Sequence, residues 1–195
     1  SSFLNICMGN DNLPQVLYRD GAVIKLKKFD GNNWNLISET TEFIPYTFIS
    51  LVLDNNDIPY VLTNYQVGST YNCFVKKFNG TAWEEVGITG FSEPAISLVF
   101  DTTNIPHLCL GTGVKKFEGS VWTSVAMPSY GYPYSIVGNI KLFFNNSNVM
   151  YIGHSLTYFG SSVSFYIKRL VNGEWQSILS NGFMNDKVFT VSGDY

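Results

Sequence analysis

The stretch Leu26-Lys27-Lys28-Phe29-Asp30-Gly31-Asn32-Asn33-Trp34 recurs as Val75-Lys76-Lys77-Phe78-Asn79-Gly80-Thr81-Ala82-Trp83 and as Val114-Lys115-Lys116-Phe117-Glu118-Gly119-Ser120-Val121-Trp122. A looser copy, Ile167-Lys168-Arg169-Leu170-Val171-Asn172-Gly173-Glu174-Trp175, closes the series. A second element recurs upstream of each copy: Asn5 to Pro14, Ser50 to Pro59, Ser97 to Pro106 and Lys141 to Met150. Each is an apolar run followed by an Asn- or Asp-rich turn, and three of the four end on Pro. Their starts lie 45, 47 and 44 residues apart. Self-similarity with that period restricts the chain to solenoids, propellers or arrays.

Within one period the residues read as four short strands. The run Leu51 to Leu53 is almost continuously apolar, as expected for a strand covered on both faces. Asn and Asp then suit a tight turn, because they tolerate the left-handed conformation and bond their own backbone. Strand two begins at the Pro and runs Tyr60 to Leu62. A Pro is acceptable at a first strand position, which needs no ladder donor. Strand three spans Asn72 to Phe78, a Gly turn follows, and strand four runs from Trp83 to about Val86-Gly87. No amphipathic helix of useful length is legible.

Four antiparallel strands per repeat is the blade of a β-propeller. The pattern of apolar run, Asp or Asn turn, Pro, then Lys-x-aromatic-x-Gly-x-x-Trp resembles the degenerate propeller repeats of bacterial surface and secreted proteins. It is similar in placement to the blades of kelch and Asp-box type. The resemblance implies an all-β fold: one propeller domain over 1–195, with four-stranded blades of about 45 residues at roughly 1–48, 49–95, 96–139 and 140–187. Val188 to Tyr195 is left as a surplus C-terminal strand, suited to edge pairing or to donation to another subunit.

Charge and composition narrow the partners. Twelve basic against 15 acidic residues give a net charge of −3 with no charged tail, which favours neither nucleic acid nor an anionic membrane. No apolar run approaches the ~18 residues needed to span a bilayer. Cys7, Cys73 and Cys109 are scattered within apolar runs, so they are expected to be buried thiols rather than a disulfide framework or a metal site. With two histidines, His107 and His154, a multi-histidine metal site is excluded, and no cofactor motif is present. The start, Ser1-Ser2-Phe3, reads as that of a processed or excised segment.

The paired cations Lys27-Lys28, Lys76-Lys77, Lys115-Lys116 and Lys168-Arg169 alternate across a strand, so each pair places one charge on either face of its blade. Their stems are expected to cover apolar surface while the heads reach water or an acid. The tryptophans Trp34, Trp83, Trp122 and Trp175 fall in register, which points to repeated packing rather than a site. Recognition is expected instead on aromatics that break the repeat, in loops. Tyr65 and Tyr71 flank the strand two–three connection of repeat two, Tyr130, Tyr132 and Tyr134 crowd a blade-to-blade loop, and Tyr158 sits in the long loop of repeat four.

The residues show no catalytic constellation. Arg19 and Arg169 are too few for the three-arginine carboxylate clamp of sialidase-type propellers, and no nucleophile elbow or phosphate loop is present. The expectation is therefore a non-catalytic module at a cell or particle surface, extracellular, that binds a glycan or a protein. A structural subunit assembling through 188–195 ranks next, and a glycoside-active propeller third.

Overall fold

The computed structural model describes residues 4–43, 48–68, 70–87, 91, 94–110, 113–125, 127, 134–158 and 162–179. Among these there are sixteen strands and no helix, and consecutive strands pair into four four-stranded sheets. The first holds β1 (Leu4–Met8), β2 (Pro14–Asp20), β3 (Val23–Phe29) and β4 (Trp34–Thr40). The second holds β5 (Phe48–Leu53), β6 (Pro59–Val67), β7 (Thr70–Phe78) and β8 (Trp83–Glu85). The third holds β9 (Ala95–Phe100), β10 (Pro106–Leu110), β11 (Val114–Glu118) and β12 (Val121–Val125). The fourth holds β13 (Tyr134–Phe144), β14 (Met150–Tyr158), β15 (Ser162–Val171) and β16 (Glu174–Leu179). The fold is all-β, of propeller type, with four four-stranded blades. The stretch 188–195, expected to add a strand, lies outside the described residues.

The turn joining the first two strands of each sheet has the same backbone everywhere. The amides of Gly9, Asp54, Asp101 and Asn145 donate to the carbonyls of Leu13, Ile58, Ile105 and Val149. Those of Asn12, Asp57, Asn104 and Asn148 donate back to Gly9, Asp54, Asp101 and Asn145. The last-named donors all have φ between 58° and 67°, the left-handed region that Asn and Asp tolerate best. The Asp or Asn side chain at the turn's start satisfies the remaining amides. Asp54 Oδ1 accepts from Asn56 and Ile58, Asp101 Oδ1 from Thr103 and Ile105, and Asn145 Oδ1 from Ser147 and Val149. Gly9 replaces this acid in the first sheet. A Cβ there would meet Asp11 Oδ1 at 2.7 Å and Asp57 Oδ2 at 3.2 Å.

The chain packs as two compact units, Ser1–Ala95 with Gly119–Val121, which holds the first two sheets, and Ile96–Glu118 with Trp122–Tyr195, which holds the rest of the third sheet and the fourth. In the first, Leu17, Ile24 and Leu26 of the first sheet share a core with Leu51, Val61 and Phe78 of the second, and Cys7 packs against it. In the second, Cys109 and Val114 of the third sheet share a core with Ile140, Leu142, Met150 and Ile152 of the fourth. Each interface is also latched at its turns: Asn10 N donates to Asp57 Oδ1 at 2.8 Å, and Thr102 N to Asn148 Oδ1 at 2.9 Å.

Two strand boundaries differ from the sequence reading. β6 and β7 run through residues read as a connecting loop, and β13 starts at Tyr134, ahead of the boundary placed at 139. The polar run Thr63-Asn64 conceals the first extension. Asn64 is buried because its side chain completes a backbone-like pair with Ala95: Nδ2 donates to the Ala95 carbonyl at 2.7 Å, and Oδ1 accepts from the Ala95 amide at 2.9 Å.

Candidate functional site

The last hairpin of each sheet carries the repeated basic-aromatic stretch, and its turn comes in two forms. In the first two sheets four residues close it. Asp30 Oδ1 accepts from the amides of Asn32 and Asn33, and Asn79 Oδ1 from those of Thr81 and Ala82. Those amides hold the Asp30 carboxyl below the usual carboxylate range. In the last two sheets two residues suffice. Asn172 (φ 52°) and Gly173 (φ 82°) form a type I′ turn, and Gly119 (φ 69°) leads the turn between β11 and β12. The residue in the Asp30 column is here Glu118. It stays in the strand, and its carboxylate pairs with Lys116 Nζ at 2.7 Å.

Glu118 lines a cleft of about 380 Å³ in the second unit, between β10–β12 and the facing side of β13–β15. Its polar wall includes Asp101, His107, Lys116 and Asn148, and its apolar wall includes Phe144 and Met150. The volume falls in the range of small-ligand sites. His107 lies opposite Lys116 across the β10–β11 pair and packs on Phe144 with ring centroids 4.6 Å apart. Its Nδ1 is 3.0 Å from the Ile105 carbonyl. A carbonyl can only accept, so Nδ1 carries the proton and Nε2 is left as an acceptor. Burial, the dominant effect, holds the ring below its ordinary pKa, so it is neutral at pH 7.

The same place in the first unit is occupied by its own side chains. Gln15, in the His107 column, reaches the Asp57 carbonyl with Nε2 at 3.4 Å. Lys28, in the Lys116 column, is ion-paired to Asp11 at 2.6 Å. The second unit thus brings a carboxylate, a cation and a neutral imidazole to one wall, with Lys116 paired to Glu118 itself, where in the first Lys28 pairs with the turn acid Asp11.

The tryptophan column builds hairpins. Trp34 and Trp83 stand directly across the ladder from Phe29 and Phe78, with ring centroids 5.3 and 5.2 Å apart, and Trp175 stands across from Leu170. Trp83 further donates from Nε1 to Ser38 Oγ at 3.0 Å and meets Phe43 edge-on. Several repeated cations find acids or hydroxyls: Lys76 pairs with Glu42 at 2.7 Å and Lys115 bonds Ser124 at 3.1 Å.

Of the tyrosines proposed for recognition, Tyr65 pairs with Asn72 and Tyr71 with Gln66, so the two rings lie on opposite faces of one hairpin and do not form a single platform. Tyr134 and Tyr158 are ladder partners at the far end of β13–β14. Tyr130 and Tyr132 lie outside the described residues. Glu118 was missed by the sequence reading. The signal for it is its departure from the Asp or Asn of its column, since a glutamate side chain is too long to bond the turn amides in the same way.

No protein-family model and no curated protein sequence matches the chain. Solved structures do resemble it. A GH43_12 protein retrieved from capybara gut metagenome superposes with a TM-score of 0.51 at 14% identity, over 96% of this chain and 43% of that one. An endo-arabinase from Bacteroides thetaiotaomicron VPI-5482 gives a TM-score of 0.48 at 10% identity, over 91% of this chain and 80% of that one. The chain thus spans less than half of the GH43_12 protein. These neighbours correct the functional expectation. The GH43_12 structure shares the fold and runs against the expectation of a non-enzymatic recognition or structural module, which is not carried further.

Proposed function

We propose that this chain is a glycoside-active propeller, or the part of one, that handles a polysaccharide in the cleft of its second unit. The observation that carries the reading is Glu118: a carboxylate released from turn duty into a cleft with a neutral His107, Lys116 and an apolar wall. Such a wall suits the C–H faces of a sugar, while His107 Nε2 and Lys116 Nζ suit its hydroxyls. The fold likeness to a GH43_12 structure supports the same class.

Glycoside hydrolysis needs one carboxyl to protonate the leaving oxygen and a second carboxylate to stabilise or deliver the attack. Glu118 takes the first role once a sugar ring displaces Lys116 from their ion pair and the carboxyl carries a proton, and Lys116 then receives it back as an anion. Asp101, fixed by the Thr103 and Ile105 amides, takes the second.

The experiment is release of reducing ends from a panel of soluble polysaccharides. Glu118→Gln is expected to lower the rate by roughly 10²-fold or more. Asp101→Asn tests the second role without breaking the turn, because Asn145 makes the same two amide contacts in the fourth sheet. Failure of the unmodified chain to cleave any polymer, or a Glu118→Gln variant with undiminished rate, overturns the reading.

A further inference from the structure

Lys116 and Glu118 stand two residues apart on β11, on one face of the strand, and their side chains are ion-paired at 2.7 Å in the wall of the cleft. That pairing has a cause in the repeat. In the first sheet the equivalent cation, Lys28, pairs at 2.6 Å with Asp11, whose Oδ1 also accepts from the Leu13 amide. The Asp11 position is Thr103 in the third sheet, so that acid is missing there and Lys116 takes Glu118 from its own strand.

The other titratable groups described in the cleft are already committed. Asp101 Oδ1 accepts from the Thr103 amide, the Thr103 hydroxyl and the Ile105 amide, and His107 Nδ1 bonds the Ile105 carbonyl. The facing fourth sheet brings Phe144, Asn148, Met150 and Leu170, none of which ionises. The Lys116–Glu118 pair is therefore what an incoming ligand must rearrange.

A sugar hydroxyl is neutral and a poor substitute for a carboxylate on an ammonium, whereas a carboxylate on the sugar is an equal one. With one ammonium between two carboxylates, the acid that gives it up is left beside two like charges, Asp101 and the ligand. In a partly apolar cleft it takes a proton from solvent. The exchange conserves charge: one anion enters, one proton enters with it, and Lys116 stays paired.

We infer that the cleft takes a sugar carrying a carboxylate, a uronic-acid residue of an acidic polysaccharide, and that this carboxylate binds Lys116 in place of Glu118. The inference rests on the reading of the cleft as a sugar site and adds its substrate class. Substrate binding itself then supplies Glu118 with the proton that a general acid needs, and departure of the product returns Glu118 to Lys116.

Calorimetric titration with the methyl glycoside of glucuronic acid, in two buffers of different ionisation enthalpy, reads binding and proton uptake together. Methyl glucoside is the neutral control. The unmodified chain is expected to bind the uronoside in preference to the glucoside and to take up protons as it does so. Glu118→Gln removes the competing carboxylate, so it should bind the uronoside roughly tenfold tighter and take up none. Lys116→Met should lose the preference and Lys116→Arg keep it. Glucoside bound as well as uronoside by the unmodified chain overturns the inference, as does a Glu118→Gln variant that binds no tighter. So does uptake that persists in Glu118→Gln and vanishes in His107→Gln, which moves the proton to the imidazole. None of these readouts needs turnover. Uronoside binding with proton uptake in a chain that cleaves no polymer strikes the hydrolytic reading and leaves this one standing, and cleavage of neutral polymers alone does the reverse.

Discussion

The side chain of Asp57 reaches the backbone of Asn10, 47 residues earlier, with Oδ1 accepting from the amide at 2.8 Å, while Asp57 itself holds φ at 61°. One residue meets two demands, a left-handed turn and a bond between sheets. Asp57→Asn keeps both and should leave the urea midpoint nearly unchanged. Asp57→Gly keeps the conformation and loses the bond. Asp57→Ala loses both and should cost about 1–2 kcal/mol, the largest effect of the three. Equal midpoints for the Gly and Ala variants would show that the conformation contributes nothing.

Gly80 has φ 101°, and a Cβ added to it would meet nothing within 4 Å. Substitution there tests backbone strain with no steric contribution. Gly80→Ala should destabilise by about 1–2 kcal/mol. Gly113→Ala, at a position without positive φ and with its nearest contact Met127 Cγ at 3.8 Å, should stay within about 0.5 kcal/mol of the unmodified chain.

Trp34 and Trp83 occupy one column of the repeat, yet Trp83 is 7% exposed and Trp34 43%. Sequence register makes them equivalent and burial does not. Trp83→Ala removes a core residue and its bond to Ser38, and should cost about 3–5 kcal/mol. Trp34→Ala should cost clearly less, measured by the same denaturant titration.

His154 is buried and stacked on Tyr166, with ring centroids 5.8 Å apart, and burial together with the Lys168 charge pushes its pKa down to about 4. The unfolded ring takes a proton below about pH 6.5, while the folded ring stays neutral until about pH 4. Stability is therefore full above pH 6.5, falls as pH drops towards 4, and levels below. Asp11, Asp20 and Asp30, all shifted down from 3.8, add their losses only below that window. In His154→Gln the slope of Tm between pH 6.5 and 4 should shrink, leaving what His107, also held below its ordinary pKa by burial, contributes. An unchanged slope would assign the loss to other groups.

Much of the fold was legible because the repeat writes it four times. The Asn and Asp turns, the Pro at strand two and the Gly-then-Trp hairpin each have a local physical cause that survives without tertiary context. The extension of β6 through Asn64 was not legible, because a buried amide satisfied by Ala95 is indistinguishable in sequence from a solvated one. The cleft was hidden for a related reason. Asp101 looks like a turn residue and is one, and His107 looks like local packing and makes it. What sets the place apart is that both stand beside Glu118 on the third sheet, where Phe144 and Met150 of the fourth sheet complete the cleft.

Glu118 also shows what redundancy permits. Wherever Asp30 and Asn79 stand, the hairpin depends on a short side chain to hold its amides, and substitution there is constrained by folding. The two-residue turn at Gly119 needs no such help, so the neighbouring position was released from the fold's own requirements and could accept a longer acid. A repeat protein can depart this way at one copy while the other copies keep the turn contact, and the copy whose turn is shorter is where distinct chemistry should be sought first.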